Sequence, residues 1–278
     1  MKVLILGAKG MLGHALVEVY KEHDVIAWDQ EELDIANKSK VREIIPETKA
    51  DIIINAAAFT DVDACEEKRA TAYRVNGEAV GYLALAADEM NIPIVHISTD
   101  YVFSGKKKEG YSEEDIPEPI NSYGRSKLRG EQHLKVNAKQ YYLIRTAWLF
   151  GPDGNNFVKT IAKLCKEKNQ IEVVNDQFGN PTYSKDLAAN IYRLVYEKPD
   201  FGIYHFTNSG VVSWYDFANE IVKLINPQCK VLPVDSDKNK KPAKRPAYSI
   251  LLNNKFYKMR NWQDALRNYI YKIDEDNE

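Results

Sequence analysis

Cysteine is scarce in this sequence of 278 residues, and the three that occur, Cys65, Cys165 and Cys229, are odd in number and far apart. This pattern excludes a disulfide framework and a zinc site built on paired cysteines, and it indicates a reducing, cytoplasmic location. An excess of charge of one sign is also lacking, since the formal net charge is −2. The composition therefore gives no reason to expect binding to nucleic acid or to an anionic membrane surface.

Long apolar runs are missing as well. The opening run Val3–Leu6 ends at Gly7, too early for a signal peptide, and no later run is long enough to span a bilayer. We therefore expect a soluble, unexported protein. The five histidines are dispersed without an HExxH pattern, and no Gly-x-Ser-x-Gly elbow is present, which argues against a zinc hydrolase and a serine hydrolase.

What the sequence does contain is an alternation of short apolar strands with amphipathic helices through about the first 145 residues. This alternation predicts an α/β protein with a Rossmann-like, doubly wound parallel sheet. The predicted strands are 3–6, 25–28, 51–55, 92–97 and 141–146. The predicted helices are 12–20, one from about 39, a long one at 70–90, and one containing Tyr123 and Lys127.

The second half of the chain has a different organisation. We predict a dinucleotide-binding domain at 1–150 and a smaller, interleaved substrate-binding domain at 151–278, with segments near 184–208 and 245–256 returning to the first. Ser213 is predicted to cap a helix at 214–225, because a serine hydroxyl can accept from a free amide of the first turn. The remaining predicted elements are helices 155–168, 187–196 and 261–273, strands 171–174 and 202–206, and a solvated basic loop at 238–246.

Three glycines, Gly7, Gly10 and Gly13, lie between the first predicted strand and the first predicted helix. Such a turn lets backbone amides and a helix N-terminus approach a diphosphate, so it favours a dinucleotide site. Asp29 follows Gly7 by 22 residues, close to the spacing at which a carboxylate binds the adenosine ribose of NADH. Asp29 fits a solvated turn equally well, and Lys9 in the glycine turn would attract the 2′-phosphate of NADPH. The choice between NADPH and NADH stays open.

Tyr123 and Lys127 are four residues apart on a predicted helix and so share one face. An ammonium beside a phenol favours the phenolate, which predicts a lowered pKa and a role for Tyr123 as general acid or base. Thr99 stands at the carboxyl end of a predicted strand, where open α/β sheets bind their ligands. Because Tyr-x-x-x-Lys also arises by chance, its context decides.

That context includes two longer motifs, Ser98-Thr-Asp-Tyr-Val-Phe-Ser-Gly105 and Asp176-Gln-Phe-Gly-Asn-Pro-Thr182. With the glycine turn and Tyr123-x-x-x-Lys127, they resemble the dTDP-4-dehydrorhamnose reductases of the extended short-chain dehydrogenase/reductase family, in order over nearly the whole chain. The glycine turn and Tyr-x-x-x-Lys are shared by the superfamily, whereas the two longer motifs are characteristic of this branch. Further matching segments are 55–60, 145–148 and 154–157.

The resemblance implies reduction of the 4-keto group of dTDP-4-dehydro-6-deoxy-L-mannose to dTDP-L-rhamnose, with NADPH or NADH as hydride donor. Thr99 would polarise the carbonyl, Tyr123 would supply the proton, and Lys127 would bind the nicotinamide ribose. The residues implied in cofactor binding are Gly7, Lys9, Gly10, Met11, Leu12, Asp29, Asp34, Ile35, Ala56, Ala57, Ala58, Tyr123 and Lys127. Those implied in substrate binding are Val62, Thr99, Asp100, Tyr101, Trp148, Asn156, Gln177 and Arg245.

Two other functions are weighed against the reductase. Related nucleotide-sugar dehydratases have Thr-Asp-Glu at the strand end, but here Tyr101 takes the third position, so one carboxyl group for elimination is missing. A non-catalytic dinucleotide-binding protein, similar to the regulatory subunit of methionine adenosyltransferase, is disfavoured by the intact Thr99, Tyr123 and Lys127. Some relatives bind magnesium, yet no carboxylate cluster in the sequence indicates a metal site. A monomer and a homodimer are both compatible with the pattern, as are thymine and uracil in the substrate.

Overall fold

The structure, a computed structural model, describes residues 1–238 and 240–275. The strands are β1 (Lys2–Leu6), β2 (Asp24–Trp28), β3 (Ile52–Asn55), β4 (Ile94–Thr99), β5 (Tyr141–Thr146), β6 (Leu149–Phe150), β7 (Gln170–Val174), β8 (Phe178–Gly179), β9 (Thr182–Tyr183), β10 (Gly202–His205), β11 (Asn208–Ser209), β12 (Val212–Ser213), β13 (Lys230–Val234) and β14 (Met259–Asn261). The α-helices are α1 (Met11–Val19), α2 (Lys38–Glu47), α3 (Ala64–Glu67), α4 (Arg69–Tyr73), α5 (Ala79–Glu89), α6 (Ser122–Asn137), α7 (Phe157–Glu167), α8 (Ser184–Glu197), α9 (Trp214–Ile225) and α10 (Trp262–Glu275).

Six strands form one parallel sheet in the order β10-β5-β4-β3-β1-β2. The side chains of Val3–Leu6 are at most 1% exposed, because both faces of β1 are covered. This double burial explains why the strand has a continuous apolar run in the sequence. The strand order reverses between β1 and β3, so a ligand crevice is expected at the carboxyl ends there. The predicted Rossmann-like, doubly wound sheet is confirmed.

Helices cover both faces of this sheet. Val3 and Ile5 pack in one core with α1 and α8, whereas Leu4 and Leu6 pack in another core with α2, α5 and α6. Alternate residues of a strand point to opposite faces, and each face meets its own helices. The carboxyl ends of the strands therefore remain free to form a site.

A third core lies outside the six-stranded sheet and is built from α7, α9, α10 and the parallel pair β7 and β13. Its buried aromatic residues include Phe150, Phe217 and Trp262. Two elements of the second half of the chain nevertheless belong to the six-stranded sheet and its α1 face, since β10 pairs with β5 and α8 packs on α1. The predicted domain boundaries stay a prediction. Residues 276–278 of the predicted second domain and Asn239 of the predicted basic loop lie outside the described residues.

The long helix predicted at 70–90 is present as continuous helical backbone over 69–89, but it is not a regular α-helix throughout. It consists of α4, a π-helical turn at Arg74–Glu78, and α5. The apolar spacing fits a straight helix, but the π turn contains the buried Asn76, whose amide bonds to Phe59 in a distant loop. A tertiary contact has replaced regular helix geometry, as is common for π-helical turns near functional sites.

Helix α9 confirms its prediction in full, with bounds Trp214–Ile225. The Ser213 hydroxyl accepts from the amide of Asp216 at 3.0 Å, as expected of an N-cap residue. Within 1–238 and 240–275, the structure has no helix of the length and apolarity needed to cross a bilayer.

Candidate active site

A cavity of about 1000 Å³ lies at the carboxyl ends of β1, β3, β4 and β5. Its lining comes from separate segments of the chain, which include the glycine turn after β1, the alanines after β3 and the Thr99 region after β4. The predicted site residues that line it are Gly7, Lys9, Gly10, Met11, Leu12, Asp29, Asp34, Ile35, Ala56, Ala57, Ala58, Val62, Thr99, Asp100, Tyr101, Tyr123, Lys127 and Trp148.

Three predicted substrate residues do not line this cavity. Asn156 caps α7, accepting from the amide of Lys159 at 3.0 Å and donating to the carbonyl of Gly151 at 2.9 Å. The carbonyl of Gln177 accepts from the amide of Trp214 at 3.3 Å. Arg245 forms a bidentate ion pair with Asp63, and its Nη2 donates at 2.8 Å. The substrate contacts implied for these three residues therefore stay predictions.

The glycine turn has the shape that a diphosphate requires. Gly7 has a φ of 78°, and a Cβ atom there would lie 2.6 Å from the amide nitrogen of Ala57. A Cβ atom on Gly13 would lie 2.1 Å from the carbonyl oxygen of Gly7, so the turn and α1 are in direct contact. Helix α1 begins after Gly10 without a side-chain cap and without an acidic residue in its first turn. Its free amides and positive end fit an anionic dinucleotide.

The end of the cavity that contains Asp29, here called the adenosine end after its predicted ligand, is exposed and acidic. The Asp29 carboxylate accepts from the amides of Lys9 and Gln30, at 3.0 and 2.8 Å. The Lys9 ammonium is paired with Glu31, and this hydrogen bond raises the pKa of Lys9. Glu32 accepts from the amide of Asp29 at 2.8 Å. Three carboxylates thus surround Lys9, and the sequence did not indicate that its charge is already engaged.

The catalytic end is buried, and α6 positions its side chains. Asn121 caps this helix by accepting from the amide of Gly124 at 2.8 Å. Glu66 on α3 accepts from the amide and the hydroxyl of Ser122, at 2.7 and 2.6 Å. These contacts fix the first turn of α6, which contains Tyr123, and the next turn contains Lys127.

Lys127 is 2% exposed, and its Nζ donates to the carbonyl oxygen of Ile97 at 2.6 Å. Burial lowers the pKa of Lys127 to about 8, and the charge of Glu131 opposes this shift. Lys127 therefore keeps its proton at neutral pH. Its bond to β4 ties the helix to the strand that ends at Thr99.

The expected lowering of the Tyr123 pKa by Lys127 is not what the structure shows. Burial raises the pKa of Tyr123, the charge of Asp100 adds to this effect, and a hydrogen bond from Thr99 opposes it. The main physical reason is that the phenol sits in a poorly solvated site, where the negative charge of a phenolate is costly. Tyr123 is consequently a protonated phenol at neutral pH, which suits a proton donor.

Thr99 and Asp100 line the cavity at this end. The Thr99 hydroxyl lies 2.9 Å from Asp100 Oδ1 and accepts from the amide of Tyr101 at 3.2 Å. Asp100 is 3% exposed, and burial raises its pKa to about 7. The ring of Tyr101 meets that of Tyr123 edge to face, with centroids 5.9 Å apart.

A buried ion pair joins the helix and strands that surround the catalytic end. Arg145 on β5 and Glu131 on α6 are both fully buried, and they are joined by two hydrogen bonds of 2.9 and 2.7 Å. The Ser98 hydroxyl donates to Glu131 Oε1 at 2.6 Å. This network links α6, β4 and β5 directly beneath Thr99, so it fixes their relative positions.

Sequence reasoning missed Asn76, which holds the cavity wall. Its amide accepts from the nitrogen of Phe59 at 2.8 Å, donates to the Phe59 carbonyl at 2.9 Å, and donates to Ser126 Oγ at 3.0 Å. It therefore joins the loop after β3 to helix α6. An available signal was the pair Asn76-Gly77, since both residues are unfavourable inside a helix.

Trp214 was also missed, although it lines the cavity beside Trp148. The two indole rings stack with centroids 3.5 Å apart and planes 7° from parallel. Trp148 has a left-handed φ of 48°, and a Cβ atom on Gly179 would lie 2.5 Å from its ring. The glycine of the 176–182 motif therefore makes room for the indole at the substrate end.

The part of the chain that the structure describes contains no group of three or more His, Cys, Asp or Glu side chains arranged to hold a metal ion. The site offers hydroxyl, phenol, ammonium and carboxyl groups, and these lie in the same cavity as a glycine turn that fits the diphosphate of a dinucleotide.

Comparison with known proteins agrees with this geometry. A family model described as the RmlD substrate binding domain matches residues 1–275. The dTDP-4-dehydrorhamnose reductase of Aggregatibacter actinomycetemcomitans is 42% identical over 286 aligned positions, gaps included, and the match covers 96% of this chain and 97% of the relative. A crystal structure of a dTDP-4-dehydrorhamnose reductase from Clostridium acetobutylicum matches with a TM-score of 0.96 at 42% identity, over 99% of this chain and 100% of the other.

A second solved structure is the dTDP-4-dehydrorhamnose reductase of Bacillus anthracis in complex with NADP. It matches with a TM-score of 0.94 at 41% identity, and the match covers 98% of this chain and 99% of the other. The resemblance predicted from the motifs is thereby confirmed. The chain belongs to the RmlD family, the family of the dTDP-4-dehydrorhamnose reductases.

Proposed function

We propose that this protein uses NADPH or NADH to reduce the 4-keto group of dTDP-4-dehydro-6-deoxy-L-mannose, giving dTDP-L-rhamnose. The observation that supports this most directly is that Thr99, Tyr123 and Lys127 line the same cavity as the glycine turn. A hydride donor bound at the turn would reach the end where the proton donor lies. Membership of the RmlD family supports the same reaction.

The bound dihydronicotinamide supplies the hydride that reduces the carbonyl carbon. In the proposed roles, the Thr99 hydroxyl holds the carbonyl oxygen, and Tyr123 donates the proton that completes the alcohol. The phenol of Tyr123 carries its proton at neutral pH and can pass it to the more basic alkoxide oxygen that forms on the substrate. Lys127 would hold the nicotinamide ribose and place a positive charge near the reacting oxygen.

The substrate side of the proposed site contains Val62, Tyr101 and Trp148, with Trp214 stacked on Trp148. Apolar and aromatic surfaces of this kind suit a 6-deoxysugar and a nucleobase. Arg245 pairs with Asp63 and contacts Tyr101, which lines the cavity. We assign it to the diphosphate, for which a planar guanidinium is a good partner.

We place the dinucleotide site in the domain predicted at 1–150 and the sugar nucleotide against the domain predicted at 151–278. A cytoplasmic location is supported by the three cysteines, which are all free and buried. A monomer and a homodimer are both compatible with the sequence.

The alternative activities have less support. Elimination of water needs a second carboxyl group where this chain has Tyr101, whose ring packs against Tyr123. A non-catalytic binding protein does not need a buried phenol, ammonium and hydroxyl at one end of its dinucleotide site.

The test is to mix the purified protein with a dTDP-4-keto-6-deoxysugar and follow the absorbance of NADPH, and of NADH in parallel. We expect sugar-dependent oxidation of the cofactor and formation of dTDP-rhamnose. Cofactor binding without turnover would indicate a binding protein. In a parallel assay with a dTDP-hexose, loss of water to give the 4-keto-6-deoxysugar, with no net change in the cofactor, would indicate a dehydratase. The UDP counterpart of the sugar serves as the control for base selection.

A further inference from the structure

Asp100 is a buried carboxyl group that the proposed reaction does not use for proton transfer. It is 3% exposed and follows the last residue of β4. Its Oδ1 lies 2.9 Å from Thr99 Oγ1, whereas its Oδ2 makes no hydrogen bond of good geometry within the described residues. A buried carboxylate with an unpaired oxygen is costly, so this environment favours the neutral acid.

The hydroxyl of Thr99 connects Asp100 to Tyr123. A threonine hydroxyl has one proton and two acceptor positions. The amide of Tyr101 occupies one acceptor position, at 3.2 Å. The other acceptor position and the proton are left for Asp100 Oδ1, at 2.9 Å, and for the phenol of Tyr123, which lines the same cavity and whose pKa the Thr99 hydroxyl lowers.

The protonation state of Asp100 affects which way the protons point along the series Asp100, Thr99 and Tyr123. A carboxylate can only accept, so Thr99 must then donate to Asp100, and the O–H of Tyr123 must donate to Thr99. A neutral acid whose proton is on Oδ1 donates to Thr99 instead. Thr99 then donates to the phenol oxygen, and the Tyr123 proton is left free to point at a ligand.

Burial brings the ionisation of Asp100 close to neutral pH, because it raises the pKa to about 7 and so favours the neutral acid. The hydroxyls of Ser249 and Thr99 and the backbone amides of Asp100 and Tyr101 oppose this shift. The ionisable side chains whose pKa the Asp100 charge affects are Tyr101 on its own loop and Tyr123 on α6. Arg245 contacts Tyr101 from the C-terminal loop, and Lys127 lies on the next turn of α6.

We propose that Asp100 is a positioning residue that acts as a neutral carboxylic acid and directs the hydroxyl protons of Thr99 and Tyr123 toward the substrate oxygen. When Asp100 ionises, Thr99 donates to the carboxylate, and the Tyr123 proton points at Thr99 and no longer at the substrate oxygen. The role at the substrate oxygen rests on the proposed reductase function. The protonation state of Asp100 in the free protein does not, so the two can be tested separately.

The first test needs no substrate. Infrared difference spectra of the full chain, recorded from about pH 5.5 to about pH 8, should show a carboxylic-acid C=O band that persists to neutral pH. The band should be absent from Asp100→Asn and unchanged in Asp88→Asn, which removes an exposed carboxylate on α5 that bonds to Lys139. A band that survives in Asp100→Asn, or no band in the unmodified protein, would overturn the proposal whatever the enzyme reduces.

The second test measures hydride transfer in single turnovers over the same pH range. The unmodified protein should lose up to about tenfold in rate for each pH unit above the midpoint, whereas Asp100→Asn should give a flat profile. Lys127, with a pKa of about 8, is common to all the variants and sets the upper limit of the useful range. An unaltered pH dependence in Asp100→Asn would contradict the proposal.

Ser249→Ala provides a second variant in case Asp100→Asn does not fold. The Ser249 hydroxyl favours the ionised form of Asp100, so its removal should move the midpoint of both the infrared and the rate profiles to higher pH. A midpoint that stays in place or moves to lower pH would overturn the assignment. If no sugar is reduced, the infrared profiles still decide the state of Asp100.

Discussion

Two lysines line the same cavity in opposite environments. Lys127, at the catalytic end, is 2% exposed, and burial lowers its pKa to about 8. The side chain of Lys9, at the adenosine end, is 56% exposed, and its bond to Glu31 raises its pKa. Desolvation dominates one end and surface ion pairing the other. Because exposed ion pairs contribute little and are screened by salt, substitutions should have large effects at the catalytic end and small ones at the adenosine end.

The largest effect is expected from Tyr123→Phe, which removes the proton donor but retains the ring. General acid catalysis contributes roughly 10² to 10⁴ in rate, so kcat should fall within that range. The affinity for the cofactor should remain nearly unchanged. The measurement is single-turnover oxidation of NADPH by the keto-sugar, alongside a fluorescence titration of cofactor binding.

Lys127→Ala is the matched comparison. It should reduce both kcat and cofactor affinity, because the ammonium is proposed to contact the nicotinamide ribose as well as the reacting centre. If Tyr123→Phe reduces the keto-sugar as fast as the unmodified protein, the phenol is not the proton donor. If Lys127→Ala changes only kcat, the ribose contact is wrong.

The next effect concerns stability beneath the catalytic end. Glu131→Gln leaves the fully buried Arg145 without its counter-charge, which should lower the free energy of unfolding by about 3 to 5 kcal/mol. Glu18→Gln is the control, because Glu18 pairs with Lys21 on the surface, and it should change stability by less than about 1 kcal/mol. Chemical denaturation of the two variants would contradict this contrast if their losses were equal.

Asn76→Ala should have an intermediate effect. It leaves the amide and the carbonyl of Phe59 without their partners, at a cost of about 1 to 3 kcal/mol. Because Phe59 follows the alanines that line the cavity, cofactor binding should weaken along with stability. Gln140→Ala, which removes an exposed bond to Asn91, is the control. Retained cofactor affinity in Asn76→Ala would show that the alanine loop holds its shape without this contact.

The sequence predicted features whose cause is local. Helix α9 was predicted with its bounds because its apolar spacing and the Ser213 cap lie within one segment. The glycine turn and the Tyr123 helix were predicted for the same reason. A strand buried on both faces, such as β1, has an apolar run that periodicity detects.

What the sequence did not predict depends on residues far apart in the chain. Glu66 and Ser122 are 56 positions apart, and Arg245 pairs with Asp63 across 182 positions. No local spacing contains such contacts. The pKa of Tyr123 was predicted in the wrong direction because the pattern shows that Lys127 is near but does not show how deeply the phenol is buried.

The smallest effects are expected at the adenosine end. Both NADH and NADPH should serve as cofactor, and Asp29→Ala should weaken NADH selectively by roughly 1 kcal/mol if one ribose hydrogen bond is lost. Asp24→Asn, at the opposite end of β2, is the control and should change neither cofactor. If the ratio of kcat/KM for NADPH to kcat/KM for NADH is the same in Asp29→Ala as in the unmodified protein, Asp29 only shapes the turn through its bonds to Lys9 and Gln30.

Glu31→Gln tests the same end from the other side. It releases Lys9 from its ion pair, so the ammonium becomes available to a 2′-phosphate, and NADP⁺ should bind up to about fivefold more tightly relative to NAD⁺. Calorimetric titration at low and at high salt measures this, and the gain should shrink at high salt because the contact is exposed. Lys9→Ala in the Glu31→Gln background should abolish the gain. If the gain persists without Lys9, the removed carboxylate acts on the phosphate directly by repulsion, and the ion pair has no part in cofactor choice.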